Sequence, residues 1–375
     1  MPRVHWVGTG LSTGSGVRVL AEKTAVVLYG RTRTRADAAA HRLGVAGAVE
    51  VAALDTLDPE PGDVVVSMLP ATEHPRLLEL SRRAGAHFAD TSYAGAEVTA
   101  LAKDADVVVL TEAGLDPGID HLLADDLVAD ARQAVDGPAT AAFTSYCGGI
   151  PAVPNEFRYR FSWAPLGVLT ALLSPARYIS GGVETVAERP WEAVGGYRVH
   201  DEDFEVYPNR DSIPFVTRYG IPPSWSLTTF VRGTIRLAGW RSAWEPVFAQ
   251  LRAGDPGRIG ELASELALRY PTTESDRDRV VLAVALAVDG VDGTTWSGRS
   301  VVDLVGDEHG SAMARLVSTT VAVGVDDILA GRLSPGLHRG AEGAPAARRW
   351  LESLRDNGIA ASRVASSTAG TVTSA

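Results

Sequence analysis

An α/β fold built on a doubly wound parallel sheet, with a second, aromatic-rich domain, is what the 375-residue sequence predicts. Three observations carry that reading. A strand, a glycine turn and a helix follow one another at the start of the chain. Short apolar, β-branched runs then alternate with helical stretches as far as residue 128, the pattern of buried strands joined by crossover helices. Past about residue 125 the pattern changes to aromatic residues, prolines and long alternating strands.

The first strand is Val4 to Val7, followed by Gly8-Thr9-Gly10-Leu11-Ser12-Thr13-Gly14 and a helix from Gly16 to Ala21. This order forms the phosphate-cradling start of a dinucleotide-binding, Rossmann-like sheet, in which Gly8 permits the tight turn and Gly10 lets a pyrophosphate approach the backbone. The spacing is G-x-G-x-x-x-G, one residue longer than the usual fingerprint. Gly8, Gly10, Leu11, Ser12 and Thr13 are the cofactor-binding candidates here. The next strand, Thr24 to Tyr29, ends in Gly30-Arg31-Thr32-Arg33. An acidic residue at this place would bind the ribose 2′-hydroxyl of NAD, whereas Arg31 and Thr32, with Arg33, suit a 2′-phosphate. The expected cofactor is therefore NADP(H). The bland alternative is a solvated basic turn, since Arg35 continues the run.

A helix over Asp37 to Leu43 and a short strand at Val49 to Val51 precede a buried strand, Asp63 to Pro70. Such a sheet edge touches the ribose and nicotinamide end of a dinucleotide, which makes Leu69 and Pro70 candidates. A helix from Leu77 to Ala84 and a strand from His87 to Tyr93 follow, with Ser92 as a further cofactor candidate. The strand Val107 to Leu110 ends in Gly114, and Asp116-Pro117-Gly118 reads as a helix start with Asp116 as N-cap and Pro117 at the first helical position. The helix runs through Val128. A polar turn between strand and helix is where open α/β sheets place ligands, and Asp116, Asp120 and His121 line this one. Taken singly, each also reads as a cap, a complement to the helix dipole and a surface histidine.

Thr140 to Cys147 is a long strand closed by Gly148-Gly149, and five of the eight tryptophans lie between Trp163 and Trp244. Arg279 to Asp289 alternates like an antiparallel strand, and Asp289-Gly290 and Asp292-Gly293 mark turns. Ser311 to Leu329 has helical periodicity and is expected to pack back on the first domain. Arg348 to Asp356 is a short amphipathic helix. The expected organisation is a first domain over residues 1–124, completed by about 310–360, a second over 125–309, and a disordered tail over 361–375.

Composition narrows the function classes. A net charge of -11 argues against a general nucleic-acid binder. The single cysteine, Cys147, rules out a disulfide framework and suits a reducing cytoplasm. The N-terminal MPRVHWVGTG lacks the apolar core of a signal peptide, and no run approaches the roughly eighteen apolar residues of a membrane span. The eight histidines show no ligand-like pairing, so no metal site is expected.

Several stretches together resemble the saccharopine dehydrogenase family, in its NADP-linked, glutamate-forming reductase branch. They are Leu69-Pro70-Ala71-Thr72 with His74-Pro75; Gly114 to His121; Ser145 to Gly149; Phe161-Ser162-Trp163; Pro175 to Tyr178; Tyr207-Pro208-Asn209-Arg210-Asp211-Ser212; and Arg232 to Arg236. The resemblance keeps order from residue 4 to about 330. It implies a dinucleotide-binding domain completed by C-terminal helices, an inserted mixed α/β substrate domain, and a homodimer. It also implies a reductive condensation. Glutamate's amine adds to the aldehyde of 2-aminoadipate semialdehyde, water leaves, and NADPH delivers hydride to the imine; the reverse is oxidative cleavage. A substrate with three carboxylates suits the planar fork of arginine. Arg210, beside Asn209, and Arg232, near Thr234, are the candidates. Asp116 or Asp120 would take an ammonium group. Cys147 is expected to line the pocket, since hydride transfer needs no covalent intermediate. Imine formation needs proton transfers, and Tyr93, Asp120 and His121 are the titratable groups for them, with no choice among the three.

The loop after Pro151 is shorter than in the family pattern, and the arginine of its Phe-Ser-Trp-Ser-Pro-Arg-Gly motif is Leu166 here. A substrate with fewer carboxylates would follow from that loss. Three readings result: a saccharopine reductase of lysine metabolism, a relative joining another amine and aldehyde (carboxynorspermidine-type or a secondary-metabolism tailoring enzyme), and a non-catalytic NADP-binding sensor. The intact Tyr207 to Ser212 and Arg232 to Arg236 weigh against the last.

Overall fold

Runs of four or five apolar residues bounded by glycine, proline or charge form the strands of the first part of the chain. The computed structural model describes residues 2–161, 165–270 and 276–368. The chain falls into two units, Met1–Leu122 with Asp307–Ala360, and Leu123–Gly306 with Ala361–Ala375.

In chain order, the first unit opens with β1 (Val4–Val7), α1 (Gly16–Ala21), β2 (Val26–Gly30), α2 (Arg33–Arg42), β3 (Glu50–Ala53), β4 (Val64–Ser67), α3 (His74–Ala84), β5 (His87–Asp90), α4 (Ala96–Ala102) and β6 (Val108–Thr111). Helix α5 (Ile119–Ala134) leads into the second unit. That unit holds β7 (Ala139–Pro151), α6 (Pro165–Leu173), β8 (Ala176–Ser180), β9 (Val183–Ala187), β10 (Gly195–Val199), β11 (Glu202–Pro208), α7 (Pro214–Arg218), β12 (Trp225–Leu237), α8 (Trp240–Ala243), α9 (Glu245–Ala253), α10 (Pro256–Arg269), β13 (Asp278–Gly290) and β14 (Thr295–Val305). The chain returns to the first unit with α11 (Ala312–Leu329), β15 (Gly336–Arg339) and α12 (Ala344–Asp356), and then to the second with β16 (Ser362–Thr368).

The first sheet has seven parallel strands in the order β15-β6-β5-β4-β1-β2-β3. Its order reverses between β1 and β4, whose last residues, Val7 and Ser67, stand in register. This switch point is where an open α/β sheet leaves room for a ligand at the carboxyl ends of its strands. Helix α11 carries Ser311 as N-cap, its hydroxyl accepting the Ala314 N–H at 3.1 Å. It packs against α1 so closely that a Cβ on Gly16 would stand 1.9 Å from the Ser318 carbonyl oxygen. Gly324 likewise lets α11 reach Leu110 and Trp350. Strand β15 and helix α4 lay outside the sequence expectation; both are too short, and too poor in β-branched or periodic residues, to stand out locally.

The second unit contains a mixed sheet, β10-β11-β12-β7-β13-β14-β16, with the β8–β9 hairpin joined to β12. Only β7 and β12 run parallel; the other neighbours are antiparallel. The tryptophan-rich stretch forms a core of Tyr159, Trp191, Trp240, Trp244 and Phe248 with α6, α9 and α10. Within it Phe157 stacks on Trp244 at 4.8 Å and Trp191 on Phe248 at 5.4 Å. The Gly148-Gly149 pair does not close β7, which runs on to Pro151. Residues 362–368, expected as disordered tail, instead form β16, pairing with β14 from Val301↔Ser362 to Thr295↔Thr368. The Ser and Thr content that suggests disorder also suits an edge strand, whose side chains are all exposed here. Residues 369–375 of that tail, and Ser162-Trp163 of the aromatic motif, lie outside the described residues.

Candidate active site

The glycine turn is held from inside. Gly8 has a φ of +124°, and a Cβ there would meet Met68 at 3.0–3.1 Å, so only glycine suits the position. Its N–H donates to the Tyr29 carbonyl at 3.0 Å. The Thr13 hydroxyl donates to the Gly8 carbonyl at 3.0 Å and accepts the Trp6 indole N–H at 3.4 Å, so this candidate side chain ties the turn together rather than facing outward. Gly10 has nothing within 4 Å of a Cβ position, and Leu11 beside it is exposed. The third glycine, Gly14, serves packing: a Cβ there would lie 2.7 Å from the Ala314 carbonyl oxygen of α11. Arg31, Thr32 and Arg33 are exposed at the end of β2, with Thr32 capping α2 by accepting the Arg35 N–H at 3.3 Å. A tight glycine approach and an exposed basic turn at adjacent strand ends fit a dinucleotide bearing a 2′-phosphate.

At the ends of β4 and β5, buried His74 bridges two serines. Its Nδ1 lies 3.0 Å from Ser67 Oγ and its Nε2 3.0 Å from Ser92 Oγ. Burial lowers its pKa to about 4, so the ring is neutral and one nitrogen donates while the other accepts. Nearby Asp90 is fully buried, with its carboxyl accepting the Ser92 N–H at 2.8 Å, and desolvation raises its pKa well above the usual carboxylate range. Leu69 is half-buried against the sheet core and Pro70 is exposed.

After β6 the chain turns sharply. Glu112 is buried with a φ of +57°, in the left-handed region that side chains other than glycine rarely adopt. Its Oε2 lies 3.0 Å from His121 Nε2, and His121 Nδ1 lies 3.2 Å from Asp120 Oδ2. All three side chains are buried. Arg339 Nε stands 3.5 Å from Glu112 Oε1. The Tyr93 hydroxyl donates to Asp116 Oδ1 at 2.7 Å. The expected capping differs. Helix α5 starts at Ile119, and Asp116-Pro117 is a cis peptide ahead of it, so Asp116 is not the N-cap and Pro117 is not its first residue. Asp120 instead accepts the Gly118 N–H at 2.7 Å through Oδ1. His121 is buried, not on the surface.

In the second unit, β7 and β12 pair with Ser145 beside Arg232 and Cys147 beside Thr234. Alternation puts these four on one face. All are buried, and the Arg232 guanidinium lies 3.8 Å over the Phe215 ring. Gly233 between them has no room for a side chain: a Cβ would lie 2.3 Å from the Tyr207 carbonyl oxygen and 2.8 Å from the Tyr146 ring. The loop after β11 is laced to the same strand. Asn209 N–H donates to the Arg232 carbonyl at 3.0 Å, and the Arg232 N–H donates to Ser212 Oγ at 2.9 Å. Exposed Arg210, at a φ of +58°, accepts the Arg177 N–H through its carbonyl at 3.0 Å.

Sequence reasoning thus selected two local sets, one in each unit, and missed Glu112 and His74. An acidic residue directly after a buried strand was the available signal for Glu112. His74 had only its place beside Pro70.

Residues 4–112 match the family model described as the saccharopine dehydrogenase NADP binding domain, and residues 114–359 the saccharopine dehydrogenase C-terminal domain. The chain is 39% identical over 192 residues to the NADP, L-glutamate-forming saccharopine dehydrogenase of Pyricularia oryzae, covering 48% of this chain and 40% of that one. It is 32% identical over 281 residues to the corresponding Schizosaccharomyces pombe protein, covering 71% and 60%. Against the bovine mitochondrial alpha-aminoadipic semialdehyde synthase it is 36% identical over 197 residues, covering 48% of this chain but only 20% of that protein. Among solved structures, apo saccharopine dehydrogenase (L-Glu forming) from Saccharomyces cerevisiae superposes with a TM-score of 0.81 at 25% identity, covering 98% and 100% of the two chains. A Legionella pneumophila homospermidine synthase, at a TM-score of 0.61, 11% identity and coverage of 97% and 91%, shares the fold alone.

Proposed function

The chain belongs to the saccharopine dehydrogenase family, and from that premise we propose that it is an NADP-dependent oxidoreductase acting on the CH–NH bond of saccharopine or a similar opine-like secondary amine. The reaction is the reductive condensation of an aldehyde with an amino acid, or its reverse. The observation that carries this reading is that both family halves occur in order, with the glycine turn, the Arg31-Thr32 corner and buried Arg232 all present.

Gly8, Gly10, Leu11, Ser12 and the backbone of Thr13 would hold the pyrophosphate, Arg31 and Thr32 the 2′-phosphate, and Leu69, Pro70 and Ser92 the nicotinamide end. Bound NADPH supplies the hydride. The chain's own residues do the rest. Arg210, Asn209, Arg232 and Thr234 take carboxylates of the substrate, Asp116 its ammonium group, and Cys147 lines the pocket as a thiol. In the Glu112–His121–Asp120 trio, Asp120 or His121 would pass the proton needed as water leaves the carbinolamine; Tyr93 is the alternative donor. Fixing the two reactants supplies much of the rate.

Leu166, 49% exposed where the family motif has arginine, favours a second reading: a related reductive aminase whose substrate carries one carboxylate fewer. The first reading also takes the protein as cytoplasmic, which its single cysteine suits, and as a homodimer, which sedimentation would check. Among the described residues, no helix is long and apolar enough to cross a membrane.

The test is near-ultraviolet absorbance of NADP with protein and saccharopine, repeated with NAD. NADPH formation that falls on the order of a hundredfold or more in Arg210→Ala supports the reading. NADPH binding without turnover would overturn saccharopine as the substrate.

A further inference from the structure

His74 is buried between two hydroxyls, and together they fix which of its nitrogens carries the proton. Ser67, the last residue of β4, is wholly buried, and among the described residues its Oγ has one hydrogen-bond partner, His74 Nδ1 at 3.0 Å. Ser92 is partly exposed, and its Oγ meets His74 Nε2 at 3.0 Å. The ring is neutral, so it offers one donor and one acceptor. A proton on Nδ1 would make Ser67 the acceptor and leave the Ser67 O–H buried with nothing to donate to, at the full desolvation penalty of that group. The other tautomer satisfies every group. Ser67 donates to Nδ1, and the Nε2–H donates to Ser92 Oγ. The hydroxyl proton of Ser92 is then the one left over, on the member of the chain that reaches the surface.

Ser92 is also held through its backbone. Its N–H donates to Asp90 Oδ1 at 2.8 Å, and its carbonyl accepts the Glu112 N–H at 3.0 Å. Strand register sets where this donor stands. Val7, just before the glycine turn, is beside Ser67 on β4, and Ser67 is beside Asp90 on β5. Ser92 therefore lies at the end of the second strand over from the turn, about 10 Å across the sheet from the proposed pyrophosphate site. A dinucleotide whose pyrophosphate lies at the turn spans that distance with its nicotinamide ribose and base. The strong acceptor on that base is the carboxamide oxygen.

We infer that Ser67 and His74 are positioning residues that fix the Ser92 hydroxyl as a hydrogen-bond donor to the nicotinamide carboxamide oxygen. A donor locked in place there holds the base in one orientation against the sheet. This deepens the proposed function and rests on its assignment of Ser92 to the nicotinamide end of NADP(H).

The test uses the full-length protein at neutral pH. Nitrogen NMR of isotope-labelled histidine rings reads the tautomer without any ligand, the His74 signals being those lost in His74→Asn. Wild type should show Nε2 protonated and Nδ1 bare. Ser67→Ala should show both tautomers, and saturating NADP should pull the ring back to the Nε2–H form. Dissociation constants are then read from tryptophan fluorescence, with NADP and with its thionicotinamide analogue, whose sulfur accepts hydrogen bonds poorly. Ser92→Ala should weaken NADP roughly tenfold and the analogue less than about twofold, whereas Ser92→Thr, which keeps the hydroxyl, should hold the wild-type ratio. A wild-type ring protonated on Nδ1, a Ser67→Ala ring that stays wholly in the Nε2–H form, or an unchanged ratio of the two affinities in Ser92→Ala would overturn the inference. Should Ser92→Ala not fold, the Ser67→Ala ring decides: no shift of its tautomers on adding NADP overturns the inference. NADP binding without turnover of saccharopine would sink the proposed substrate alone and leave these comparisons intact. No binding of NADP would overturn the cofactor assignment and the inference together.

Discussion

His74 and Asp90 sit within one turn of the proposed nicotinamide end, and burial moves each toward its neutral form. The folded-state pKa of His74, about 4, lies below the ordinary value of 6.5. The unfolded chain therefore binds a proton that the folded chain refuses. Stability falls as pH drops through 6.5 and levels off near 4, and His74 contributes about 2 kcal/mol of loss between pH 7 and pH 5. Urea unfolding at the two pH values should show a smaller difference in His74→Asn. Asp90 has the opposite sign. Its pKa is raised, so the stability it contributes in its protonated form is lost as pH rises. Asp90→Asn keeps an acceptor for the Ser92 N–H and removes the ionisation, and should raise the melting temperature, more at pH 8 than at pH 6. None of this was legible in the sequence. His74 and Asp90 are ordinary polar residues beside strand ends, and only the folded sheet shows that water is excluded from both. The same holds for Glu112, whose role depends on a turn that brings it back to His121, nine residues on.

At the scale of elements, the glycine turn separates two jobs that its sequence pattern blends. Gly10 has open space around a Cβ, whereas Gly16 has the Ser318 carbonyl oxygen at 1.9 Å. Gly10→Ala should leave the unfolding free energy within about 0.5 kcal/mol of wild type and weaken NADPH binding. Gly16→Ala should cost about 3 kcal/mol by pushing α1 off α11. Chemical denaturation and a dinucleotide titration of both variants distinguish the roles. Arg31→Ala, at the exposed corner after β2, should weaken NADPH on the order of tenfold and leave NADH unchanged. Equal effects on both dinucleotides would point to a solvated turn without a phosphate contact. The long periodic elements were readable, because α11, β7 and β13 show their periods over many residues. The four-residue β15 and the seven-residue β16 were not. Their pairing comes from strands distant in the chain, and local composition carries no trace of it. The Asp116-Pro117 boundary misled for a similar reason: the dipeptide is the usual signature of a helix start, but here the chain uses it for the turn that brings Tyr93 and Asp116 together.

For the whole molecule, the order of elements already indicates a nucleotide-binding sheet interrupted by a second domain, since a helix returning after residue 311 has a sheet to complete. The chemistry of the second unit was legible only through the resemblance, on runs such as Tyr207 to Ser212. Arginines in alternating strands read as surface charges until the strand register shows Arg232 and Arg236 on one buried face. The central claim is that reduction occurs at the carbon joined to nitrogen. The most direct measurement supplies NADPH deuterated on the transferring carbon, glutamate and 2-aminoadipate semialdehyde, and examines the product by mass spectrometry and NMR. Saccharopine carrying deuterium on the former aldehyde carbon is the predicted result. Unlabelled saccharopine, or label in a reduced alcohol with glutamate left unused, would contradict the account.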